Sequence, residues 1–176
     1  MGQPILFLWT ETGKHQLWHE QEQMRERGEA MHIRPMTREN ARAIQAWTYE
    51  APYDFYNQDP SAEGLDELMT YHAIHDDEGL FGFYCLGPYA QVPNPTYAYD
   101  AIHLDIGLGM RPDRTGKGQG RSFVETVLGA AEREEKPLRL TVAAFNERAI
   151  HLYEQVGFRQ VAAFIKGQTN FIVMVR

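Results

Sequence analysis

Met110-Arg-Pro-Asp-Arg-Thr-Gly-Lys-Gly-Gln-Gly-Arg-Ser122 lies between a strand-like run, His103 to Met110, and a helix-like run, Arg121 to Arg133. Glycines alternate at Gly116, Gly118 and Gly120, so consecutive backbone N–H groups are unshielded by any Cβ where a helix begins. Unpaired amides and the positive end of the helix dipole then converge on one point, an arrangement that suits a phosphate. Arg114, Lys117 and Arg121 add positive charge around it. A glycine-rich turn before a helix is also an ordinary turn, and G-x-G-x-G alone does not separate the two readings.

Upstream, Ile102, Leu104, Ile106, Leu108 and Met110 alternate on one face of the strand. Gly107 and Gly109 fall on the other, where glycine marks a bulge or a close backbone approach. Downstream, Phe123, Val127, Leu128 and Ala131 recur at helical intervals. Leu138 to Ala143 reads as a strand, Phe145 to Val156 as a helix stopped by Gly157, and Phe158 to Ile165 and Thr169 to Val175 as two closing strands. Towards the start, His32 to Met36 reads as a strand and Thr37 as the N-cap of a helix that ends before Pro52. The aromatic stretch Tyr49 to Asn57 reads as a loop, and Ser61 or Asp59 opens a short helix through Leu68. Tyr71 to His75 and Leu80 to Leu86 form a hairpin around Asp76 to Gly79, and Pro88 to Asp100, with its prolines, is irregular. The order β-α-α-β-β-β-α-β-α-β-β predicts a mixed α/β (α+β) sheet.

A chain of 176 residues with 43% hydrophobic content suits one core and one domain. A formal charge of −7 argues against a nucleic-acid or anionic-membrane surface and is compatible with a cationic partner. The only cysteine, Cys85, has no internal disulfide partner, which fits a reducing cytoplasm. No apolar run approaches the ~18 residues of a membrane span, and Ile5 to Trp9 is too short for a signal-peptide core. Residues 1–30 differ in character from 31–176 and carry no evident chemistry. They suit an arm packed on the domain or on a second subunit, which leaves a homodimer open, and equally an upstream start.

Met110, Pro112, Gly118 and Gly120 fall in register with the pattern V-x-P-x-x-Q/R-x-x-G-x-G, and Asn146-Glu-Arg-Ala-Ile-His-Leu-Tyr-Glu-Gln-Val-Gly-Phe158 with N-x-x-A-x-x-L-Y-x-x-x-G-F. On these two segments, in this order, the chain resembles the GCN5-related N-acetyltransferases (GNAT family) over Met31 to Arg176. Thr115 stands where the pattern has Gln or Arg, and Arg114 sits one place early, so one side-chain contact to a cofactor is missing or shifted. The resemblance implies a GNAT fold, with a mixed central sheet of about six to seven strands flanked by helices and a splayed strand pair at the cofactor site. It implies acetyl-CoA as co-substrate, held by Leu108, Gly109, Met110, Thr115, Gly116, Lys117, Gly118, Gln119, Gly120, Arg121, Asn146 and Tyr153. Gly107 and Gly109 would permit the pantetheine arm to pair with the exposed strand.

The implied reaction is direct transfer of acetyl to an amine, which needs a held thioester, a neutral amine and a proton for the departing thiolate. Tyr153, two helical turns after Asn146, is the candidate acid; the bland alternative is a packed tyrosine with its hydroxyl at the surface. For the base, the resemblance points to an acidic residue near Asp105, and alternation puts Asp105 on the face of Gly107 and Gly109. A partly desolvated carboxylate there would have a raised pKa, while a solvent-facing aspartate is the competing reading. His103 is the reserve candidate, and Cys85 has no arranged partner to make it a nucleophile. His72, His75, Asp76 and Asp77 do not match a zinc spacing, so no metal is expected.

No Lys or Arg falls between Arg42 and Arg111, whereas eleven acidic residues do, from Glu50 to Asp105. This polarity predicts an acceptor, small molecule or peptide, that is cationic before it reacts, with Tyr53, Phe55, Tyr56, Tyr97 and Tyr99 available for cation–π contact. A CoA-binding sensor or scaffold without turnover is the alternative, and the departure at Thr115 is the feature that favours it.

Overall fold

A computed structural model describes residues 30–176, so the expectation of a separate N-terminal extension lies outside the described residues but for Ala30. Seven strands form one sheet: β1 (His32–Pro35), β2 (His72–Asp76), β3 (Gly79–Leu86), β4 (Leu104–Met110), β5 (Leu138–Ala143), β6 (Arg159–Lys166) and β7 (Thr169–Val175). Their order is β1-β2-β3-β4-β5-β7-β6, antiparallel at every step except the parallel β4–β5 pair. The helices are α1 (Arg38–Gln45), α2 (Ala62–Leu68), α3 (Gly120–Ala131) and α4 (Glu147–Gln155). The element order is the one read from the sequence, with ends moved by a few residues. The run from Arg121 divides, since α3 ends at Ala131 and a 3-10 turn, Glu132–Glu134, finishes it.

Three of the four helix starts are closed by their own side chains. Thr37 accepts from the Asn40 N–H, Ser61 from Gly64 and Asn146 from Ala149, each satisfying an amide that the helix leaves open. Helix α3 buries Phe123, Val124, Val127, Leu128 and Ala131 against Ile74, Phe81, Ile106, Leu140 and Met174 of the sheet. On the opposite face Ala41 and Ile44 of α1 and Leu68 of α2 pack with Ala73, Phe83 and Cys85. No helix among the described residues is long and apolar enough to cross a membrane.

Candidate active site

The parallel pair at the middle of the sheet is short. Only Leu104 with Leu138 and Asp105 with Arg139 are paired; beyond them β4 follows β3 to Met110 while β5 follows β7 to Ala143. The strands part and leave a cleft of about 1020 Å³ between them. Arg111 N–H donates to the Phe81 carbonyl at 2.8 Å, and Gly82 opposes Met110. Antiparallel alternation therefore turns the main-chain groups of Gly107 and Gly109 towards β3, and those of Leu108 and Met110 into the gap. The Met110 carbonyl accepts from the Tyr49 hydroxyl at 2.7 Å, whereas Leu108 has no strand partner on that side.

The two strand glycines have a packing cause. A Cβ on Gly109 would stand 2.5 Å from the Phe83 ring, and one on Gly107 would stand 2.8 Å from Cys85 Sγ. Both side chains fold across β4 and leave no room. The expectation that these glycines open the strand to the pantetheine arm is thus corrected: the neighbours that exclude a side chain are Phe83 and Cys85, and the main chain facing the gap belongs to Leu108 and Met110.

At the wide end of the cleft, Gly116 and Gly118 adopt φ of +73° and +82° and Gly120 opens α3. No side chain caps this helix, so its first amides face the turn. Thr115 folds back, its hydroxyl donating to the Pro112 carbonyl at 2.8 Å. Pro112, Asp113, Thr115, Gly116, Gly118 and Gly120 line the cleft, while Lys117, Gln119 and Arg121 are not among its lining. Arg121 pairs with Glu125 at 2.8 Å. Arg114 does not add charge to the turn: it is buried, bonded to Glu78, 3.3 Å from Asp76 and set over the Phe81 ring. A cation that reaches the turn from elsewhere in the fold is Arg148 of α4, absent from the sequence-based set. Its Nη1 lies 3.3 Å from where a Cβ on Gly116 would stand, and its guanidinium sits 4.9 Å over the Tyr53 ring. Its place in the first turn of α4 was readable, but its approach to a turn 32 residues earlier (148 minus 116) exists only in the fold.

The segment after α1 straddles the gap. Tyr49 is bonded to Met110 on the β4 side, and the Tyr56 hydroxyl accepts from Ala143 N–H and Asn146 Nδ2, each at 3.4 Å, on the β5 side. Tyr53, Phe55 and Tyr56 pack around Phe145, so their rings seat the strap on the residue before the α4 cap. Tyr153, beneath it, is 8% exposed and lines the cleft, and among the described residues its hydroxyl has no hydrogen-bond partner. Burial, with a smaller push from Tyr56, raises its pKa well above the ordinary phenol value and keeps it protonated.

Asp105 is placed otherwise than expected. Its carboxylate accepts from Arg139 Nε at 2.6 Å and Nη2 at 2.9 Å and from Gln91 Nε2 at 2.8 Å, with Arg139 fully buried. Asp105 is not among the residues lining the cleft, and both of its oxygens already accept hydrogen bonds, three in all, from Arg139 and Gln91. Arg139 also bonds Asp100 at 3.0 Å and lies 4.9 Å from the Tyr99 ring and 6.0 Å from that of Tyr97, so these tyrosines face the protein's own cation. His103 is held by Asp100 at 2.9 Å, outside the cleft lining. Leaving a buried arginine short of its partner costs about 3–5 kcal/mol. Asp105→Asn should accordingly lower the thermal midpoint measured by calorimetry; an unchanged midpoint with lost turnover would return Asp105 to the chemistry.

The acid-rich stretch is also less bare than its linear count. Asp76 and Glu78 meet Arg114, Asp100 and Asp105 meet Arg139, and Asp66 meets Arg38. The carboxylates on the cleft wall are Glu50 and Asp113, and Asp113 is paired with Arg111.

Strands that part around a long cleft, a glycine turn on an uncapped helix at one end and a buried tyrosine in its lining together make an α/β domain with an open strand edge. The chain matches the model of the acetyltransferase (GNAT) family over residues 30–158, and it belongs to that family of acyl-CoA-dependent N-acetyltransferases. Among solved structures it superposes on the spermidine N-acetyltransferase of Vibrio cholerae in complex with CoA and spermine, with a TM-score of 0.63 and 22% identity, over 83% of this chain and 94% of that one. It superposes likewise on yncA of Salmonella typhimurium with its cofactor acetyl-CoA, with a TM-score of 0.56 and 18% identity, over 84% and 93%. At these identities the likeness is one of fold. A mycothiol acetyltransferase of Propionibacterium freudenreichii subsp. shermanii is 39% identical over 56 residues, 31% of this chain and 18% of that protein, so the chain spans under a fifth of that curated relative.

Proposed function

We propose that this protein moves an acetyl group from acetyl-CoA directly to the amine of a small molecule or peptide that is cationic before it reacts. The observation that carries the reading is the opening of the protonated Tyr153 hydroxyl into the same cleft as the unpaired Leu108 edge and the glycine turn. When bound, acetyl-CoA supplies the thioester. Amides from Gly116 to Arg121 would hold its phosphates with Arg148 beside them, Leu108 and Met110 would take the arm, and Asn146 would bound the other wall. Tyr153 would supply a proton to the departing sulfur. The spermine in the Vibrio cholerae structure is in keeping with an amine acceptor. Glu50 adds negative charge to the wall, and the single thiol suits a reducing compartment.

A panel of amines assayed for CoA thiol release tests this. Polyamines, aminoglycosides and amine-bearing peptides should exceed amino acids with a free carboxylate, and added salt should raise KM for the cations. If the best acceptor is anionic, or KM is indifferent to salt, the cationic part of the reading is wrong; if no amine releases thiol, the transfer itself is.

A further inference from the structure

With Asp105 tied to Arg139, the acceptor's proton needs another way out. The two carboxylates on the cleft wall lie in the strap and at the glycine turn, away from the row that flanks Gly107. That row runs from β4 across β3 to the residue before β2. Cys85 of β3 opposes Gly107 of β4, and its thiol lies across that glycine. Tyr71, the residue before β2, continues the row, since the next residue, His72, opposes Tyr84. Its ring stacks on Phe83 at 5.9 Å, meets Tyr89 at 6.3 Å and lines the cleft. The Tyr71 hydroxyl donates to Glu67 Oε1. Glu67, in the last turn of α2, is exposed to solvent. A tyrosine that lines the cleft is thereby joined to a carboxylate in water.

We propose, on the acetyltransferase reading above, that Tyr71 and Glu67 form the exit for the acceptor's proton. The ammonium N–H bond breaks as Tyr71 Oη takes that proton, the phenolic proton of Tyr71 passes to Glu67 Oε1, and solvent removes it from there. The neutral amine then forms its bond to the thioester carbonyl carbon, the C–S bond breaks, and Tyr153 protonates the sulfur. Tyr71 touches the reacting amine, whereas Glu67 acts through Tyr71 and is a positioning residue. Burial and the Glu67 bond raise the Tyr71 pKa, so it rests as a neutral phenol, as a relay requires. Burial also pushes the Cys85 thiol up to about 11, so the sulfur in the row is neutral and carries no competing charge. The titratable groups facing this hydroxyl are Glu67 from α2, Cys85 from β3 and Tyr89 from the turn after β3; the neighbouring acid of α2, Asp66, pairs with Arg38 of α1.

The experiment is the pH profile of kcat/KM, with acetyl-CoA and the best amine of the panel, for wild type, Tyr71→Phe, Glu67→Gln and the double variant. Tyr71→Phe keeps the ring stacked on Phe83, and Glu67→Gln alters an exposed side chain, so both should fold. Each single variant should fall by roughly 10²-fold at neutral pH, the double variant no further, and the deficit should shrink as pH climbs towards the ammonium's own pKa. The acid limb thus moves to higher pH, because the variants accept only amine that arrives already neutral. A drop of equal size at every pH, or a Glu67→Gln profile that overlies wild type, overturns the relay while leaving the acetyltransferase reading in place. No thiol release by wild type with any amine overturns both.

Discussion

Replacing Tyr153 with phenylalanine should lower acetyl transfer by roughly 10²–10⁴-fold with acetyl-CoA affinity largely kept. The ring packs edge-on against Phe158 at 6.1 Å, and phenylalanine preserves that contact, so what is removed is one hydroxyl at the cleft wall. Burial keeps that hydroxyl protonated far above neutral pH, which is the state in which it can donate. The loss should therefore be nearly constant across neutral pH, in contrast to the moving limb expected for Tyr71. Single-turnover kinetics make the check, because they isolate chemistry from product release. Unchanged single turnover would remove Tyr153 from the mechanism.

Gly118→Val should abolish measurable acetyl-CoA binding in calorimetry. At φ of +82° a β-branched residue is strained, yet nothing in the protein lies within 4 Å of a Cβ placed there. The space the valine methyls would fill belongs to the cleft, where Gly118 forms part of the wall. Each hydrogen bond to a charged phosphate contributes about 1.5–3 kcal/mol, so displacing the phosphates from two amides costs on the order of 100-fold or more in affinity. Gly120→Val is a different lesion. Its Cβ would meet Leu152 Cδ2 at 3.0 Å, so its first effect is on α3–α4 packing and stability. Gln119→Ala, whose side chain is outside the cleft lining, should bind as wild type does. Equal affinity for wild type and Gly118→Val would refute the backbone cradle.

What was legible in the sequence was whatever depends on neighbours along the chain. Thr37, Ser61 and Asn146 announce their helices because a cap reaches only three residues on, and Gly116 and Gly118 mark the turn because glycine alone accepts its positive φ at no cost. The register slips in β6 between Gln160 and Ala162, and alternation along the strands also breaks at Phe81. There a bulge sets Leu80 opposite His75 and Gly82 opposite Ile74, and Phe81 and Gly82 both meet Phe123 of α3. What was not legible depends on partners far away in sequence. Asp105 looked like a free carboxylate because Arg139, 34 residues on, was invisible beside it. Arg114 looked like a phosphate contact until the hairpin brought Asp76 and Glu78 to it. Tyr97 and Tyr99 looked available for a cationic acceptor, and the same Arg139 occupies them. In each case a charge counted along the chain was already answered across the sheet.

The fate of the acetyl carbon decides between an enzyme and a domain that binds CoA without turning it over. Acetyl-CoA labelled with carbon-13 in the acetyl group, incubated with the protein and the best amine of the panel, should yield labelled N-acetyl amine and free CoA in equal amounts by mass spectrometry, with no label on the protein at any time. Label that stays in acetyl-CoA would contradict catalysis, and label found on Cys85 during turnover would contradict direct transfer.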